Sequence, residues 1–258
     1  MKREYWNGLA EKYEDEIFSV LENDRKNIIL ELVEKYGSSK KTVNDYGCGI
    51  GYFLPMLSKN FGRVNAIDIS HKFIARAKKK YKHLSNIKYS TADLAKAGLR
   101  LEKAHFAMSV NMLIMPAIAC RLKILDVMTK YLLKGGHLLL VVPSIESAQL
   151  SDFRLIEWNL RSGIRPGSVV REAFGNADNI SSQNQRQGIV PIDGVPTKHY
   201  LREELLAMLE SRGMRVMDIR KIEYPWETEF ESPPKWMKSP YPWDWLAVAQ
   251  KRNNANSK

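Results

Sequence analysis

The segment Asp45-Tyr46-Gly47-Cys48-Gly49-Ile50-Gly51 restricts the fold of this 258-residue chain more than any other. It follows a short run, Thr42–Tyr46, that reads as a strand, and it opens an apolar stretch with Phe53, Leu54 and Leu57 that reads as a helix. Glycines at alternate positions let the backbone approach a ligand closely and take up conformations that a Cβ forbids. The helix that follows offers unpaired N–H groups to an anionic part of such a ligand. The spacing is G-x-G-x-G, not the G-x-G-x-x-G of dinucleotide folds, and an acid, Asp45, precedes it by two residues.

Around this loop the apolar spacing alternates between helical and strand periods. Ile28, Ile29, Leu32, Val33 and Tyr36 mark one helix face, and Gly37 is placed to stop it. Strands are predicted at Arg63–Ile69, Ile87–Ser90, Ala104–Val110 and His137–Val142. Helices are predicted at Phe73–Tyr81 and Pro116–Leu133, the second stopped by Gly135-Gly136. Such alternation implies βαβ units and a doubly wound, mainly parallel α/β sheet buried on both faces. After Pro143 the rhythm breaks. Residues 144–199 are polar and rich in Gly and Pro, and only Asp152–Leu160 reads as helical. Order resumes with a helix at Leu201–Arg212 and strands at Met214–Glu223 and Trp245–Gln250. The expectation is one domain over 1–258, with a lid or substrate insertion at 144–200 and a flexible polar tail at 252–258.

Composition narrows the partners less than its charge suggests. The net charge is +11, which allows a nucleic-acid or anionic partner. The densest basic cluster, Arg76-Ala-Lys-Lys-Lys-Tyr-Lys82, lies on a predicted helix, where a solvated face is the ordinary reading. Cys48 and Cys120 form neither a metal knuckle nor a redox pair, and no metal site is expected. Acidic residues fall where a signal peptide would be apolar, and Ala104–Cys120 is too interrupted by polar residues to cross a membrane. A cytoplasmic protein is therefore expected; the oligomeric state is not legible.

Two further acids complete a pattern. Asp68 ends the second predicted strand, where a carboxylate is positioned to accept hydrogen bonds from two ribose hydroxyls. Asp93 follows the third. Each alone is ordinary, since strand-end acids often only cap helices, but the loop and both acids come in order at the ends of strands one, two and three.

This constellation resembles the class I S-adenosylmethionine-dependent methyltransferase family. The glycine loop matches the family's first motif, Ala66-Ile-Asp68-Ile69-Ser its second, and Thr91-Ala-Asp93-Leu94 the third, which contacts adenine. Leu133-Lys-Gly135-Gly136 matches the turn before the fifth strand, and Tyr5-Trp6-x-x-Leu9-Ala-x-x-Tyr13 resembles a helix that closes over the cofactor. Asn44 and Tyr46 depart from the apolar residues usual around Asp45. The resemblance implies a seven-stranded sheet whose last strand is antiparallel, with S-adenosylmethionine held by Tyr13, Asp45, Gly47, Gly49, Gly51, Asp68, Ile69, Asp93, Leu94, Asn111 and Met112. Because the sulfonium is an activated methyl donor, the protein needs chiefly to align the reactants and exclude water.

Candidates for acid–base work are His199 and Tyr200, with Glu157 beside them; His199 reads equally as a helix-entry residue. Tyr5, Trp158, Trp226 and Trp236 are candidate substrate contacts, although the Pro- and Trp-rich stretch Pro225–Trp243 reads more readily as packing. Asn111-Met-Leu-Ile lacks the Pro-Pro-aromatic signature of enzymes that methylate nucleobase or glutamine amino groups. The expected acceptor is a small organic molecule. The alternatives are an RNA or protein methyltransferase using the basic helix 76–82, and a catalytically silent cofactor-binding protein.

Overall fold

A computed structural model describes residues 3–174 and 182–253. Nine strands are present among them: β1 Ser38–Tyr46, β2 Phe61–Asp68, β3 Ile87–Thr91, β4 Ala104–Val110, β5 Leu132–Pro143, β6 Ile189–Ile192, β7 Val195–Lys198, β8 Met214–Glu223 and β9 Trp243–Lys251. Seven form one sheet in the order β3-β2-β1-β4-β5-β9-β8, in which β9 runs antiparallel between β5 and β8. The expected doubly wound sheet and its antiparallel last strand are therefore present. The order reverses between β1 and β4, and in such sheets the crevice beyond the carboxyl ends at the reversal is where ligands sit.

Apolar side chains cover both faces of the sheet, which explains why the strands read as near-continuous hydrophobic runs. One face packs Val43, Val64, Phe106, Met108, Leu139, Val141 and Leu246 against the helix Ile28–Tyr36 and the helix Leu54–Asn60. The other packs Tyr46, Ile67, Leu138, Leu140 and Val142 against Ile118–Lys130 and Arg202–Glu210. Among the described residues no helix is long and apolar enough to cross a membrane.

Two sequence expectations need correction. Gly135 and Gly136 do not stop a helix. The helix ends at Lys130 and both glycines lie within β5, where the register against β4 shifts between Ala104 and Phe106. A Cβ on Gly136 would stand 2.8 Å from the His105 carbonyl oxygen. The stretch after Pro143 is not irregular either. It starts with a 17-residue helix, Ile145–Arg161, whose N-cap Ser144 accepts a hydrogen bond from Ser147 N. Its buried residues are Ser147 and Ser151, so it carries little of the apolar period by which helices are read. Short helices follow at Val169–Phe174 and Ser182–Arg186, then the β6–β7 hairpin. Asp193 and Gly194 turn that hairpin with both φ angles positive, the combination an Asp-Gly pair tolerates. Parts of two expected mobile segments, 175–181 within the insertion and 254–258 in the tail, lie outside the described residues.

Candidate functional site

The glycine loop leaves β1 and is pinned to the end of β2: Gly47 N and Cys48 N both donate to the Ile67 carbonyl, at 2.8 and 3.1 Å. Gly47, Gly49 and Gly51 sit at φ of 74°, 55° and 90°, a region closed to most side chains. Space is equally restrictive. A Cβ on Gly47 would stand 2.7 Å from Met112 Cγ, and one on Gly49 would stand 2.3 Å from the Tyr13 hydroxyl. The structure thus brings together the loop, the residue after Asn111 at the end of β4, and the N-terminal segment.

Two carboxyls underlie the loop. Asp45 is buried, and its Oδ2 has no hydrogen-bond partner. Burial, and then the charge of Asp68, pushes its carboxyl up to about 7. Asp68 ends β2 and accepts from Gly49 N through Oδ2 (3.0 Å) and from Ser70 N through Oδ1 (2.8 Å). Burial pushes it up to about 6 against the lowering effect of those bonds. Asp93 caps a turn, accepting from Ala95 N at 3.0 Å, while Leu94 is buried on the second face of the sheet.

The N-terminal segment lies over this loop. Tyr13 packs edge-on against Phe73 and beside Tyr52, and burial raises its hydroxyl well above the ordinary range. Arg3 Nε donates to the Ile69 carbonyl (3.0 Å), Ser70 Oγ to Asn7 Oδ1 (2.7 Å), and Arg76 to Glu14 (2.7 Å) and the Ala10 carbonyl. Tyr5 is exposed beside Trp6.

The remaining predicted residues are each engaged in contacts within the chain. His199 is buried after β7; its Nδ1 meets the Thr197 carbonyl at 3.0 Å, and burial lowers its basicity. Tyr200 is fully buried and donates to the Leu113 carbonyl at 2.7 Å, which makes it a tie within the core. Glu157 is held by Arg154 and Arg161. Trp226 is buried, stacked on Phe230, with its indole N–H on the Lys238 carbonyl. Trp158 meets Phe230 edge-on, and Arg161 lies 4.1 Å over Trp236. These tryptophans glue the 224–243 loop to the helix Ile145–Arg161.

The structure adds residues that sequence reasoning missed. Asp244, in β9, and Tyr224, just after β8, meet Asn111 at the same edge of the sheet, and Glu229 accepts from Ser151 Oγ at 3.0 Å. No motif spacing marks them, because they converge only through the pairing of β9 with β5 and β8. Among the described residues no group of His, Cys, Asp or Glu could hold a metal.

Residues 43–136 match the family model for a methyltransferase domain. Over nearly the whole chain the fold is similar to that of DhpI in complex with S-adenosylhomocysteine, at 15% identity and a TM-score of 0.61, covering 98% of this chain and 96% of that one. It is also similar to the N-methyltransferase NodS from Bradyrhizobium japonicum WM9 with S-adenosyl-l-homocysteine (13% identity, TM-score 0.59, 95% and 98% covered). A third likeness is to magnesium protoporphyrin IX methyltransferase from Synechocystis PCC 6803 with the same product bound (14% identity, TM-score 0.59, 96% and 97% covered). At these identities the likeness is one of fold. No curated protein matches the sequence.

Proposed function

We propose that this chain, which belongs to the class I S-adenosylmethionine-dependent methyltransferases, transfers the methyl group to a small organic acceptor. When bound, S-adenosylmethionine supplies a methyl group already activated on a sulfonium, so the protein's work is placement and exclusion of water. The residues present fit that molecule. Gly47, Gly49 and Gly51 give the backbone a bare face, and the donorless Oδ2 of Asp45 is an acceptor waiting beneath it. In this reading Asp68 and Ile69 take the ribose, Asp93 and Leu94 the adenine, and Asn111 and Met112 the methyl end. Tyr13 covers the loop and swings aside for entry.

The observation that carries the small-acceptor reading is that the chain covers its own site. The basic helix does not offer its Arg to a phosphate: Arg76 binds Glu14 and the Ala10 carbonyl, and Lys80 lies 5.0 Å over the Tyr52 ring. Beyond the loop, the helix Ile145–Arg161 and the 224–243 loop close on each other through Ser151–Glu229 and Arg161–Trp236. A structural neighbour named for magnesium protoporphyrin IX supports the same reading by analogy of fold. The test is transfer of labelled methyl groups into a cell extract split by ultrafiltration, with products identified by mass. Label in the low-molecular-weight fraction is expected; label confined to RNA or protein overturns the reading.

A further inference from the structure

Three side chains from distant parts of the chain meet where the carboxyl ends of β4 and β8 face the start of β9. Asn111, at φ 47°, donates from Nδ2 to Asp244 Oδ2 at 2.9 Å. The Tyr224 hydroxyl donates to the same oxygen at 2.9 Å. An ionised carboxylate only accepts, so the amide nitrogen of Asn111 must face it and the amide oxygen must turn away. That oxygen, Asn111 Oδ1, is buried without a donor. Asp244 is only 8% exposed, and among the described residues nothing donates to its Oδ1. One hydrogen-bonded pair of side chains thus carries two acceptor oxygens without a donor among the described residues, one of them on a nine-tenths-buried carboxyl.

The charge around them points the same way. Glu229, an exposed residue whose carboxylate accepts from Ser151 Oγ, interacts electrostatically with Asp244, and the exposed Asp152 adds to the same field. Among the described residues no Lys or Arg pairs with Asp244 or Glu229; the nearby Arg154 is bound to Glu157. Burial raises the Asp244 carboxyl above its ordinary range, and a cation or donor that met it would favour its ionised form. Phe18 packs edge-on against the Tyr224 ring at 4.8 Å.

We infer that Asn111 and Asp244, steadied by Tyr224, form a subsite for a protonated amine on the methyl acceptor. The inference rests on the reading that the acceptor enters at this edge of the sheet. An ammonium group carries three donors and a positive charge, which serves both bare oxygens and the field of Glu229. An anionic acceptor group would be repelled there, and a hydroxyl would bring one donor and no charge.

The experiment uses the full chain with n-butylammonium, butyramide and butyrate as probes of matched shape, followed by ligand-observed NMR with S-adenosylhomocysteine present. A preliminary titration with S-adenosylhomocysteine alone separates the two claims: failure there defeats the methyltransferase site itself and not only the subsite. With that binding in place, n-butylammonium is expected to bind about ten-fold or more tightly than butyramide, and butyrate least. Asp244→Asn should remove that preference, and Tyr224→Phe should weaken it several-fold. Equal binding of the ammonium and the amide to the unaltered protein overturns the inference, even where Asp244→Asn fails to fold. A folded Asp244→Asn protein that keeps the preference overturns it as well, and shows the cluster to be a structural tie.

Discussion

Raising the pH from about 5 to about 8 should loosen the ligand-free protein, and Asp45 is the reason. Its carboxyl ionises near 7 when folded, against 3.8 in a free chain, because burial and Asp68 oppose the charge. A raised acid holds its proton longer in the folded state than in the unfolded one, so stability falls as pH rises through the folded value. Between about pH 5 and about pH 8, Asp45 should remove about 2–3 kcal/mol, and Asp68, with its carboxyl pushed up to about 6, a smaller further amount. The Asp45 share is large against a typical stability of about 5–15 kcal/mol. Asp45→Asn keeps the shape and discards the charge, so its stability should change less with pH than that of the unaltered protein, by about the Asp45 share. Urea unfolding followed by tryptophan fluorescence at several pH values measures the difference. The same ionisation should strengthen binding of the cationic S-adenosylmethionine as pH rises. If Asp45→Asn and the unaltered protein lose stability in parallel, the buried carboxyl is not the titrating group and the argument fails.

Replacing Asp68 by Ala should weaken S-adenosylhomocysteine binding by about 1.5–3 kcal/mol in calorimetry, the scale of a charged hydrogen bond, and unchanged affinity would remove Asp68 from the site. In Gly49→Ala the new Cβ meets the Tyr13 hydroxyl at a backbone angle that itself costs about 1–2 kcal/mol, so the N-terminal segment should detach and ligand affinity should drop. Arg76→Ala frees the same segment from Glu14 and Ala10; amide exchange over residues 3–14 should quicken while global stability changes by less than about 1 kcal/mol, since the ion pair is partly exposed. Tyr200→Phe removes the bond to Leu113 and should cost about 1–2 kcal/mol of stability without altering cofactor affinity. An equal loss in binding would place Tyr200 in the site.

The amino-terminal part of the sheet was readable because its constraints are local. Gly47, Gly49 and Gly51 need positive φ, and Asp45 and Asp68 end adjacent parallel strands, so short spacings in the sequence already place them. Where packing is done by polar groups, the same reading fails. The helix Ile145–Arg161 buries Ser147 and Ser151 against Trp243 N and Glu229, so its inner face carries no apolar period to detect. The Asp193-Gly194 turn was a legible hairpin signal, obscured by the glycines and prolines around it. Tyr200 and Trp226 have polar ends on large apolar bodies, and a sequence does not say whether such an end faces a ligand or a backbone carbonyl.

The acceptor side of the site was hidden for a topological reason. Asn111 and Asp244 are 133 residues apart, and no local pattern links them. They meet because β9 enters the sheet antiparallel, so its first residues lie at the edge where the parallel strands end: Pro143, the last residue of β5, pairs with Asp244. β8 pairs antiparallel to β9 and so finishes at that same edge, with Tyr224 immediately beyond it. A wholly parallel sheet would have put the start of β9 at the opposite edge, far from the glycine loop. The reversal of one strand thus lets the carboxyl-terminal part of the chain supply acidic and aromatic side chains to a site that the amino-terminal part has already shaped. Substitutions confined to Tyr224 and Asp244 should therefore change which acceptor is bound while leaving the glycine loop, Asp45 and Asp68 to hold the cofactor as before.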